Sequence, residues 1–374
     1  MRYYKKYNSK IIARHRALAI ILSITILVLS CTPVEIQTLN TEIHTKNSDL
    51  VWPSPPQTPR IQYVRSIYSP SDIGVKKSWL KKAFDTIFGK EELSGILLRP
   101  YGIFADSQRM YVTDPGIHAL HVFDMKGKRY FMIKKSRKEE LISPIGVTVD
   151  KNGEIYLSDS VLRKVFVFDK KGEYLREIGS SELFMRPSGI ALDNDRIFVV
   201  DTHGHCVLVF SKNDGTLIFK FGKNGSGSGN FNYPTNIFID KNNILYITDS
   251  MNFRVQIFDK DGNFLSVFGK HGDGSGDFSK PKGIAVDSGG HIYVADADFD
   301  TIQIFDMNGR LLLNFGNTGR KTGEMILPAA VFIDGEDRIY VADSYNNRVQ
   351  IFQYLKEKDS RGQGFEGSSV NLKK

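Results

Sequence analysis

The residues of this chain that could do chemistry are few, and they attract notice by breaking a pattern. His118, His203 and His205 carry imidazoles, which bind metals or move protons near neutral pH. His203 and His205 sit two apart in Asp201-Thr-His-Gly-His. The chain has eight histidines, of which His15 and His44 lie outside the repeated region, a thin supply for a three-histidine zinc centre. Asn236 occupies a place where comparable segments carry Gly102, Gly146, Gly189 and Gly283, and an amide there could contribute to a calcium or polar-ligand site. Arg254 and Arg348 fall at one loop position in units four and six, Asp300 lies in the matching loop of unit five, and with the histidines they complete a candidate ligand or rim set. No nucleophile with a base and an orienting group can be read from the spacing. Two cysteines, Cys31 and Cys206, exclude a framework of disulfides and a cysteine metal site. Asp259-Lys-Asp261-Gly lacks the distal glutamate of a calcium loop. The glycine-rich runs 222–229 and 269–276 lack the Lys-Ser/Thr ending of a phosphate loop. No cofactor is expected, and the identity of any axial metal is open.

The elements that must position these residues repeat. A proline opens each unit (Pro100, Pro144, Pro187, Pro234, Pro281, Pro328), at spacings of 43 to 47 residues. An aspartate closes the first strand-like run of each unit, from Asp106 to Asp334. A second closes the next run (Asp114, Asp159, Asp201, Asp249, Asp296, Asp343), and a phenylalanine follows nine residues later each time. Each run alternates apolar and polar residues over about five positions, with Asn-Gly or Asp-Gly turns between several of them. Six copies of a four-strand unit predict an all-β, six-bladed β-propeller, because stacking sheets about an axis covers both faces of each. Aspartates present in every unit read as acceptors for backbone N–H groups, so any local function should sit where units one, three and four depart from the template.

Tyr246-Ile-Thr-Asp-Ser-Met-Asn-Phe-Arg-Val-Gln-Ile-Phe258 and Tyr340-Val-Ala-Asp-Ser-Tyr-Asn-Asn-Arg-Val-Gln-Ile-Phe352 strongly resemble the NHL repeat, over roughly residues 97–352. The resemblance implies the propeller and leaves function open, since that family includes scaffolding, ligand-binding and enzymatic members. Unit six lacks a fourth strand run. The alternating stretch 60–67 is therefore expected to pair there and close the ring, and an open edge would otherwise remain.

Ahead of the repeats, residues 1–30 combine six Lys or Arg with an apolar run, Ala17–Leu29, and read as an export signal. Leu27-Val-Leu-Ser-Cys31 resembles a bacterial lipoprotein processing box, which implies lipidation at Cys31. Residues 31–59 then form a lipid-attached flexible and Pro-rich tether, 75–89 an amphipathic helix, and 353–374 a polar tail. The formal charge is +8, but the leader contributes six of those cations, so the high pI does not indicate nucleic-acid binding. Together these features predict a membrane-anchored lipoprotein, on the outer rather than the inner membrane. The expected function is a non-enzymatic scaffold whose rim loops bind another envelope protein or an extended ligand. The alternative is a zinc- or calcium-dependent hydrolase or lyase with its site on the propeller axis.

Overall fold

A computed structural model describes residues 50–76, 95–137 and 139–356, all within the compact unit Lys46–Lys374. Each repeat folds into one antiparallel sheet. Blade one comprises Ile103–Ala105, Arg109–Asp114, Ala119–Asp124 and Arg129–Ile133. Blades two to five repeat this order from Pro144, Pro187, Pro234 and Pro281. The alternation within each strand sends one set of side chains to each sheet face, and both faces are covered by neighbouring blades. The phenylalanine that closes each third strand, from Phe123 to Phe352, is at most 1% exposed. Phe231 and Phe278, in the crossovers between blades, are fully buried beside Phe258 and Phe305.

Blade six closes as the sequence predicts. Its strands Pro328–Ile333, Arg338–Asp343 and Arg348–Tyr354 are completed by Ile61–Ile67, antiparallel, with Ile61 opposite Tyr354 and Ile67 opposite Val349. Ile61 and Ile67 have no exposed surface. The expected tether ran to residue 59, but Val51–Trp52 adds a fifth strand to this sheet. The reason is the indole: Trp52 lies 5.8 Å from Phe315 and 5.7 Å from Phe352, so the segment is held by apolar burial. Pro70–Ile73 forms one 3-10 turn. Cys31, the export segment, the amphipathic helix beyond Lys76 and the tail beyond Lys356 lie outside the described residues. Among the described residues no helix is long and apolar enough to cross a membrane.

The repeated aspartates are structural acceptors. Asp240 takes the turn N–H groups of Asn242 and Ile244 at 2.8 and 2.9 Å. The aspartate ending each second strand holds the segment just before the opening proline: Asp201 accepts from Met185 and Arg186 at 2.6 and 2.7 Å, and Asp296 from Ser279 and Lys280 at 2.8 and 2.9 Å. These bonds fix one face of the ring, where the first strands begin.

Candidate axial site

The six first strands surround the axis so closely that four blades carry glycine two residues after the opening proline, with Asn236 and Ala330 in the other two. A Cβ on Gly102 would lie 2.1 Å from the Ile145 carbonyl oxygen, and one on Gly146 2.2 Å from that of Ser188. Hydroxyls knit the same layer: Thr113 donates to Ile145 O at 2.8 Å, Ser158 to Ser188 O at 2.6 Å and Thr248 to Lys282 O at 2.7 Å. Inside this ring is a cavity of about 280 Å³ to which all six first strands contribute. Its wall is mainly aliphatic, and Phe104, Phe238 and Phe332 line it near the strands' far ends, with Phe104 and Phe332 rings 4.9 Å apart.

Polar groups gather at the opposite end, where the strands begin. Tyr101, Thr235 and Lys282 each follow an opening proline and line the cavity. The Lys282 amine stands 5.7 Å from the centre of the Tyr101 ring, within cation–π range when protonated. Desolvation, reinforced by the charge of Lys280, lowers the Lys282 pKa, with Asp298 opposing the shift. Burial raises that of the Tyr101 phenol, with Arg186 pulling the other way. Lys282 has no carboxylate partner within ion-pair distance among the described residues. The Thr235 hydroxyl is committed to Thr248 at 2.9 Å and to Lys282 O at 3.0 Å. The amine, which burial makes easier to deprotonate, and the phenol, which burial makes harder to ionise, therefore stand close together at one end of an apolar space, as a base and an acid could.

The residues singled out in the sequence are placed differently. His118, His205, Asp300 and Asn347 share a left-handed turn position, at φ between 52° and 57°. Each reaches the next blade just before its opening proline. His118 Nδ1 contacts Ile142 O, His205 Nδ1 accepts from Tyr233 N at 3.2 Å, Asp300 accepts from Leu327 N at 2.7 Å, and Asn347 donates to Leu98 O. These side chains staple blade to blade. His203 is exposed on the same face, its ring 5.5 Å from Tyr233. Arg254 and Arg348 turn inward: each bonds the aspartate closing its second strand (Asp249 at 2.8 Å, Asp343 at 2.7 Å) and the carbonyls of the preceding crossover. Asn236 does line the cavity, and its Oδ1 accepts from Ile237 N at 2.8 Å. Tyr101 and Lys282 do not stand out in the sequence. The signal was the varied series after the prolines (Tyr101, Ile145, Ser188, Thr235, Lys282, Ala329), hidden because variation beside an invariant position looks like noise.

A family profile described as "6-bladed beta-propeller" matches residues 97–180, 179–252 and 242–312. The chain belongs to that family. Within this six-bladed β-propeller, residues 327–352 also match the NHL repeat. The propeller is 28% identical over 136 residues to protein brain tumor of Drosophila melanogaster, covering 35% of this chain and 13% of that one. It is 27% identical over 122 residues to a probable peptidyl-alpha-hydroxyglycine alpha-amidating lyase of Caenorhabditis elegans, covering 30% and 35%. The chain thus spans about a third or less of the curated relatives it matches. Among solved structures it resembles virginiamycin B lyase from Staphylococcus aureus, at a TM-score of 0.51 and 16% identity over 69% of this chain and 96% of that one. That likeness shows a shared fold.

These findings correct the expectation of a non-enzymatic scaffold binding through its rim loops. Most of the supposed rim residues are spent on the ring's own bonds, the cavity lies on the axis, and a probable amidating lyase stands among the curated relatives. The alternative of a hydrolase or lyase with an axial site is better supported, without its metal. Among the described residues no histidine, cysteine or carboxylate lines the cavity, and no group of three such side chains could hold an ion. The donor set on this axis does not fit zinc or calcium.

Proposed function

We propose that this propeller is a lyase acting in its axial cavity, with Lys282 as general base and Tyr101 as general acid. The observation that carries the reading is the Lys282 amine, its pKa lowered, facing a largely apolar cavity across from a protonated phenol. Elimination suits these two groups better than hydrolysis does, because among the described residues no carboxylate, serine or cysteine lines the cavity to act as nucleophile or to orient a water. In the proposed step the Lys282 amine, in its deprotonated form, removes a proton from carbon beside a carbonyl. The electron pair of that C–H bond becomes a carbon–carbon double bond as the bond from the neighbouring carbon to oxygen breaks. The oxygen leaves with its electron pair and takes a proton from Tyr101 when it departs as an alkoxide. The apolar wall excludes water and strengthens the base. The lyases named among the similar proteins agree with this class of reaction.

We also infer, from the sequence around Cys31 and the basic, apolar leader, that the propeller is exported and held on a membrane by lipid. NHL-type repeats throughout the ring are part of the same reading. The test of the reaction is turnover: esters and lactones bearing oxygen two carbons from a carbonyl are incubated with the full chain and with Lys282→Met, and unsaturated products are followed by mass spectrometry.

A further inference from the structure

We infer that the substrate carries an anionic group, which sits at the mouth of the axial cavity against Arg186 and Lys280 while its apolar part fills the channel. This rests on the axial reading above and names the class of molecule the site takes. The residues just before the six opening prolines, Arg99, Ser143, Arg186, Tyr233, Lys280 and Leu327, stand on the face where the first strands begin, just outward in the chain from those that line the cavity's polar end. Cations occupy this position in blades one, three and five, so they alternate around the axis. Two of them lie close enough to act electrostatically on groups that line the cavity. The charge of Arg186 acts on the Tyr101 phenol, and that of Lys280 acts on the Lys282 amine, both of which line the cavity.

The backbone beneath these side chains is fixed, since Asp201 and Asp296 hold the N–H groups of Arg186 and Lys280 at 2.7 and 2.9 Å. Arg99 and Arg186 are exposed and make no ion pair among the described residues. Lys280 meets Asp298 at 3.6 Å, with both side chains about half exposed, a loose and solvent-screened contact. The face therefore carries a surplus of unpaired cations. Below it the wall is aliphatic and aromatic, and exposed Met185 and Met251 flank the same face. A carboxylate or phosphate at the mouth would be met by charge, and an apolar body below it by hydrocarbon. The division also keeps Lys282 free to act as a base, because the outer cations carry the anion.

The test is a binding measurement that needs no turnover. Octanoate and octanamide are titrated by calorimetry into the full chain and into the doubly substituted Arg186→Gln, Lys280→Gln chain, whose melting curve is checked first; both residues are exposed and bond only through backbone or loosely. The native chain is expected to bind octanoate about tenfold more tightly than octanamide, a preference worth about 1.4 kcal/mol. Raising NaCl from about 50 to about 500 mM should weaken octanoate alone. The double variant should bind the two equally, and Lys282→Met should keep the preference. Equal binding by the native chain, no binding of octanoate, or a preference that survives the double substitution overturns the proposal. A retained preference without any turnover would instead count against the lyase reading alone.

Discussion

At the scale of single residues, the axis holds a cost as well as a tool. Lys282 is kept against desolvation, and its folded pKa lies below the ordinary 10.5. Below the folded value, the charged amine is penalised in full in the native state. Between that value and 10.5 the folded chain binds fewer protons than the unfolded one, so the penalty shrinks as pH rises. Replacing Lys282 with Met is therefore expected to raise the melting temperature by a few degrees at pH 7. The gain should fade toward pH 10, as followed by thermal denaturation across that range. A stabilised but inactive variant would mark the amine as functional, because a structural lysine would leave a less stable protein behind. Sequence alone did not single out this residue. Its significance comes from depth along the axis and from an aromatic ring 181 residues away in the chain. His118, His205 and Asp300 were visible as departures, but only the left-handed turn geometry shows that they tie each blade to the next.

At the scale of elements, much more was legible. The proline, aspartate and phenylalanine spacings locate all six blades because a strand's period and a turn's chemistry are local properties. The closing strand could also be inferred, since a blade with three strands leaves an edge that something must cover. What stayed hidden was the extra pairing of Val51–Trp52, which depends on where Phe315 and Phe352 come together in the folded ring. Deleting 61–67 removes Ile61, Tyr63 and Ile67, each buried and worth about 1.5–3 kcal/mol in apolar burial, along with a full ladder of backbone bonds. That variant is expected to be insoluble or molten by circular dichroism. Removal of 359–374, a polar stretch, should leave the melting temperature unchanged.

At the scale of the whole molecule, the ring presents one face on which the first strands begin, and the axial cavity's polar end, the outer cations and the interblade staples all share it. The rigidity supplied by the aspartates and staples holds Tyr101 and Lys282 at a fixed separation, which a base and an acid working on one substrate require. Because the axis offers no donor set for zinc or calcium, a chelator such as EDTA should change neither the melting temperature nor any turnover. Loss of either on chelation, restored by one metal, would count against the donor-set argument. The central claim is that chemistry happens on the axis through Lys282. Its most direct test is the rate at which the full chain converts an anionic ester or lactone to the unsaturated product, compared with Lys282→Met of equal or greater stability. Product is expected from the native chain, with a loss of at least about 100-fold in the variant; product formed equally well by both, or by neither, would overturn axial catalysis by Lys282.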